Sequence, residues 1–131
     1  MRKDIEIPKV SDVHVAAVKQ FNEDLEIEEW NAYIINTKNE PLELVLIVSK
    51  GYKGSKKTSK MRHKLELLPA KSFAKVEFME DSLLVITNQF DVTFFVDGTL
   101  YERTFIFPAG QIADKNQEIL PLMGDHGVLA E

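Results

Sequence analysis

Two runs of alternating residues, Phe90–Val96 and Leu100–Phe107, flank the dipeptide Asp97-Gly98. Asp-Gly between such runs is the strongest short hairpin signal, because glycine tolerates the positive φ that a tight turn demands. A two-residue loop sets Phe94 opposite Tyr101, Val92 opposite Arg103 and Phe90 opposite Phe105. That register gathers four aromatic rings on one face, which must then point into a core. Arg103 is the odd member of the set and is expected to reach outward along its aliphatic stem.

The same period of two runs through most of the chain. Val13, Val15 and Ala17 form one apolar set, and an acidic connection, Asn22–Glu29, leads to a strand at Trp30–Asn36. Asn39-Glu40-Pro41 supplies turn chemistry. The nearly all-apolar run Leu42–Val48 predicts a central strand covered on both faces. Met61–Leu68 resumes as a strand and stops at Pro69. In Ser72–Phe78, either Phe73 or its neighbours Ala74 and Val76 face inward, depending on register. Met79–Leu84 reads as a single helical turn crossing between sheets. Asp114–Gln117 has the spacing of a capping box, so a short helix is expected to run to Leu120 before Pro121. Beyond it, Leu122, Met123, Val128 and Leu129 either pack back on the domain or dock on a partner.

Seven or eight short strands with turn signals predict an all-β fold: an antiparallel, immunoglobulin-like β-sandwich with a short C-terminal helix. An up-and-down barrel is the alternative. At 131 residues the chain fits one domain, with a core over about 10–108 and an extension over 109–131. It has no cysteine, which excludes a disulfide framework, thiolate zinc sites and cysteine nucleophiles. No apolar run approaches a membrane span, and the start, Met1–Glu6, lacks the apolar core of a signal peptide. The expected compartment is the cytoplasm.

The net charge of −5 hides an asymmetry. Lys50, Lys53, Lys56, Lys57, Lys60, Arg62 and Lys64 fall in fifteen residues that contain no acid. The other nine basic residues face all 21 acidic ones, so the remainder of the chain stands at −12. These seven cations, together with Tyr52, are the candidate binding residues. The segment is no phosphate-binding P-loop, because Lys56 stands where the second glycine is required and a strand follows it instead of a helix. It suits an electrostatic contact with an acidic protein, a nucleic acid or an anionic surface, and Tyr52 offers a stacking face. The plain alternative is a solvated loop whose lysines keep a sheet edge soluble.

Other constellations are weaker. His14, His63 and His126 show no metal-ligand spacing, and the simplest reading places His14 on an outward strand face and His63 in the basic surface. No Gly-x-Ser-x-Gly elbow is present. Ser49, Ser55, Ser59, Ser72 and Ser82 all lie in or beside lysine-rich or turn sequence. Glu23/Asp24 and Glu28/Glu29 sit in an exposed acidic run. Trp30, Tyr33, Tyr52 and Tyr101 could build a sugar-stacking platform, although a tryptophan opening a strand is more often a core anchor. No catalytic residues, metal site or cofactor are expected.

Val13–Val18, the strand Trp30–Asn36 with its Tyr-Ile-Ile-Asn, and Leu68–Glu77 with its Leu-Pro-x-x-Ser corner carry a resemblance over about residues 10–107. The pattern resembles an uncharacterised β-sandwich module of Bacteroidetes proteins that accompanies Smr (MutS2-type) domains. These 131 residues leave no room for an Smr domain beside the module, so the catalytic half is not expected within them. The resemblance implies an accessory or adaptor module and supplies no functional residues. The leading expectation is a non-catalytic interaction domain that binds a protein partner through residues 50–64. Nucleic-acid binding through the same loop is the alternative, and a homodimer is possible.

Overall fold

The fold is described from a computed structural model, which covers residues 10–131; the Met1–Glu6 stretch lies outside the described residues. The strands are β1 (Val13–Asn22), β2 (Ile27–Asn36), β3 (Leu42–Lys53), β4 (Lys56–Lys57), β5 (Met61–Leu68), β6 (Ser72–Met79), β7 (Thr87–Val96), β8 (Thr99–Phe107), β9 (Glu118–Ile119) and β10 (His126–Leu129). One helical turn, α1 (Asp81–Leu84), joins β6 to β7. The first sheet runs β6-β2-β1-β10-β9 and the second β4-β3-β7-β8, with β5 also paired to β3. All of the pairings are antiparallel. The α1 turn therefore carries the chain from one sheet to the other, as the sequence suggests.

The two sheets pack face to face over one apolar core. β7 and β8 pair as the Asp97-Gly98 turn predicts, with Phe90 opposite Phe105, Val92 opposite Arg103 and Phe94 opposite Tyr101. Asp97 and Gly98 both take positive φ, 49° and 79°. Phe90, Phe94, Phe105 and Phe107 are buried against Val13, Val15, Ala17 and Ile34 of the first sheet. Tyr101 stacks on Phe94, and the Arg103 guanidinium lies 4.4 Å from the centre of the Phe105 ring. Trp30 is a core anchor.

Strand pairing extends further than the alternation suggests. β1 and β2 pair along their whole lengths, so only Glu23–Glu26 of the acidic connection remains as a turn. Asn22 builds that turn by accepting the Asp24 and Leu25 amides at 3.0 and 3.1 Å. A bulge in β6 settles its ambiguous register: Ala74 and Val76 pack on the core, while Phe73 lies outside, edge-on to Tyr33.

One corner organises the crossing from β5 to β6. Asn36, fully buried, donates its amide to the carbonyls of Glu40 and Pro69, each at 3.0 Å. Its side-chain oxygen accepts the Lys38 amide, and Ser72 Oγ donates to the same Pro69 carbonyl at 2.6 Å. The Asn of the Tyr-Ile-Ile-Asn strand and the Leu-Pro-x-x-Ser corner are thus one hydrogen-bonded unit.

Within residues 109–131, β9 and β10 belong to the first sheet. β10 pairs with β1, placing Ala17 opposite Val128, and Val128 joins the main core. Ala130 donates to Val15, and Glu131 exchanges two backbone hydrogen bonds with Ile106 of β8 at 2.8 and 2.9 Å. The end of β10 therefore bridges the two sheets and closes one side of the sandwich. The expected helix to Leu120 is instead a single 3-10 turn, Asp114–Asn116. Gln117 is already extended, and Glu118 and Ile119 give their hydrogen bonds to β10, which leaves no backbone for further helical turns. Leu120 and Met123 then cover Ala16, Val18 and Ile35 on the outer face of the first sheet, so the tail docks in cis.

Candidate functional site

The segment read as a basic loop is largely strand. β3 continues past Val48 to Lys53 because β7 reaches far enough to pair Thr87 with Tyr52. Gly54 and Ser55 make a tight turn, with Gly54 at φ 61°, and Lys56 and Lys57 return as β4. Thr58 locks the return: its amide donates to the Gly51 carbonyl at 2.9 Å, and its hydroxyl accepts the Gly51 amide at 2.8 Å. A β-carbon at position 51 would meet Ile86 Cδ1 at 2.6 Å, so that side chain would have to shift. Thr58–Lys60 is the irregular link to β5.

Strand geometry sorts the eight predicted residues. Opposed residues in an antiparallel pair share a face. Ser49 and Gly51 point inward, so Lys50 and Tyr52 lie on the outer face of the second sheet. Lys57 joins them opposite Tyr52, Arg62 opposite Val48 and Lys64 opposite Leu46. Lys53 and Lys56, opposite each other, take the other face of the hairpin tip, and Lys60 sits in the link. The structure therefore brings five of the eight onto one surface. Lys64 pairs with Glu66 at 3.1 Å, both well exposed.

That surface continues into an apolar end. β3 is central, with β4 and β5 on one side and β7 on the other, but the expected cover on both of its faces is missing. Leu44 and Leu46 are 47% and 48% exposed, Leu67 is 52% and Leu100 43% exposed. A bulge at Leu44, with φ 48°, turns that side chain out beside Leu67 and Phe95. The run is apolar on both parities, yet among the described residues only its inner parity (Leu42, Val45, Ile47) is buried.

A second polar constellation lies inside. β5 and β6 diverge from the Pro69 corner as edges of different sheets, and Glu77 bridges the gap. Its Oε1 accepts Ser49 Oγ at 2.6 Å and lies 2.7 Å from His63 Nε2. His63 thus faces inward, a correction to its assignment to the basic surface. The alternation of Met61, His63 and Leu65 with Arg62, Lys64 and Glu66 carries that signal. The carboxylate stands between serine and imidazole, so the histidine cannot take the serine proton directly. This order is not that of a nucleophilic triad, in which the base touches the nucleophile.

The remaining candidates are dispersed. Burial, reinforced by the positive charge of Arg103 and opposed by Asp12, holds the His14 pKa below its ordinary value. The Asn22 amide, then Asn31, lowers that of the partly exposed Glu29. Trp30 and Tyr101 pack in the core while Tyr33 and Tyr52 lie on different sheets, so these four rings form no platform. Among the described residues no three His, Asp or Glu side chains gather as a metal site, and no helix is long and apolar enough to cross a membrane. No family model, curated protein or solved structure matches the chain.

Proposed function

We propose that this chain is a non-catalytic interaction domain that binds a partner protein through the outer face of its second sheet. The observation that carries the reading is the bare face of β3, apolar at the Leu44–Leu46 end and cationic at the Lys50–Tyr52 end. A contiguous exposed apolar patch on a rigid sheet is characteristic of a binding surface. The adjoining cations add charge complementarity, which steers encounter and fixes orientation. A partner suited to it presents leucine-sized apolar groups and, ~20 Å away along the strand at ~3.3 Å per residue, acidic ones. The adaptor role implied by the Smr-associated resemblance agrees with this, and an immunoglobulin-like sandwich in the cytoplasm belongs to the same proposal.

A nucleic-acid reading draws on one observation, the placement of Tyr52 between Lys50 and Lys57 on the same face. It has a single ring to stack on and an acidic body around it, which favours the protein partner.

Affinity capture from native cells, followed by reconstitution with the purified partner, tests the proposal. Leu46→Asn with Leu67→Asn, and separately Lys57→Glu with Arg62→Glu, are each expected to weaken the purified complex at least tenfold. A complex unaffected by both pairs would overturn the assignment of this face. Saturable, salt-sensitive anisotropy with short RNA or single-stranded DNA, lost in the Lys57→Glu/Arg62→Glu protein, would instead support the second reading.

A further inference from the structure

Beyond the Glu77 bridge, the diverging edges of β5 and β6 leave a cleft of about 370 Å³, roofed by α1 and open to solvent. We propose that this cleft is a binding site for a small ligand carrying a protonated amine on a short aliphatic chain. The volume lies within the roughly 300–1,000 Å³ of small-molecule sites.

The chemistry of the walls sets the ligand class. Met61, Leu83 and Ile86 supply apolar surface. At the inner end stands the Glu77 carboxylate, its side chain only 6% exposed. Ser49 and His63 both engage Oε1, which fixes the orientation of the group. Among the described residues no donor reaches Glu77 Oε2 or Asn88 Oδ1, and Asn88 is itself 96% buried with its amide nitrogen spent on the Leu83 and Ile86 carbonyls. Neither oxygen is sealed away from solvent, since among the described residues the sealed side-chain atom without a partner is Asn31 Oδ1. Both acceptors therefore open on the cleft.

A carboxylate oxygen and an amide oxygen in a largely apolar recess call for a donor that is also a cation. Glu80 at the rim adds a second carboxylate against the one cation of the lining, Lys50. An alkylammonium fits both halves, with three N–H donors for the oxygens and methylenes for the apolar wall. A bare metal ion does not fit, since its usual set of three or more ligands is absent among the described residues. Ser49, Gly51 and Glu77 point inward, so the cleft shares only Lys50, at its margin, with the outer-face residues assigned above, and this inference does not depend on that reading.

The test is a titration of the ¹⁵N-labelled chain with n-butylamine hydrochloride, read by amide chemical shifts, with n-butanol and sodium butyrate as isosteric controls. Saturable shifts at Gly51, Glu77, Leu83 and Asn88 are expected with butylammonium, at an affinity at least tenfold above that for butanol. Glu80→Gln is expected to weaken binding several-fold. Ser82→Trp, at the exposed mouth, is expected to abolish it while leaving the remaining spectrum in place. Glu77→Gln probes the inner carboxylate, and if that variant does not fold the two rim variants still decide. Equal response to butanol, absence of saturation, or shifts that survive Ser82→Trp would overturn the proposal.

Discussion

Glu77 Oε1 lies 2.7 Å from His63 Nε2 although the strands that carry them belong to different sheets, so this hydrogen bond, with that from Ser49 Oγ to the same oxygen, spans the open side of the sandwich. The opposite side is held by backbone, through Glu131 and Ile106. One seam is thus closed by main chain and the other by side chains, and only the second can be opened by removing a hydrogen-bonding side chain.

A double-mutant cycle measures that tie. His63→Ala and Glu77→Gln are each expected to destabilise by about 1–3 kcal/mol in urea unfolding, with a coupling near 1 kcal/mol between them. Additive effects would show that the two side chains are neighbours without being a tie.

Asn36 carries the crossing corner. Asn36→Ala removes the donor to Glu40 and Pro69 and the acceptor of Lys38 in a fully buried site. The expected cost is about 2–3 kcal/mol, because buried backbone groups lose their partners. Asn36→Asp, which keeps the acceptor and loses the donor, is expected to be no more stable than the alanine variant. Denaturant midpoints at constant m-value check both.

His14 makes stability depend on pH. Its folded pKa is lowered, so between that value and the unfolded value of about 6.5 the unfolded chain binds more protons. The contribution is complete above about 6.5 and is lost as pH falls through the folded pKa. Melting temperature measured from pH 8 to pH 5 is expected to drop across this window in the parent and to drop less in His14→Gln. An unchanged slope in the variant would assign the dependence elsewhere.

Gly127 lets β10 lie on β1. A β-carbon there would meet the Ala17 carbonyl oxygen at 2.6 Å and Leu120 Cδ1 at 2.7 Å. Gly127→Ala is expected to cost about 1–3 kcal/mol and to speed hydrogen exchange at Ala17, Val128 and Ile106 more than at Phe94. Uniform protection across these amides would contradict the local effect.

Much of this arrangement is legible in the residues. The aromatic hairpin reads correctly because turn chemistry and side-chain parity agree: Asp97-Gly98 sets the register and the four rings choose the inner face. Parity also points His63 and Ser49 inward, alongside Leu65 and Ile47. Glu77 is hidden from such reading, because the β6 bulge displaces it by one residue and brings a charged side chain to an apolar face. The length of β3 is equally hidden, since lysine and glycine have low strand propensity and only pairing with β7 and β4 extends it. The bare outer face of Leu44 and Leu46 marks the opposite case: the composition calls for cover that the described chain does not supply.

The bridge made by β10 also bears on how the chain reaches this state. β1 lies near the start of the described chain and its neighbour β10 at the end, so that pairing closes the longest loop in the fold. Closing it costs entropy before any contact across it is gained. The hairpins β1-β2 and β7-β8 are local, whereas β2-β6, β3-β7 and, furthest apart, β1-β10 join distant segments, so one edge of β1 depends on the last strand for its partner. Any state of the chain that lacks β10 therefore exposes the edge of β1, a ready template for pairing with another chain.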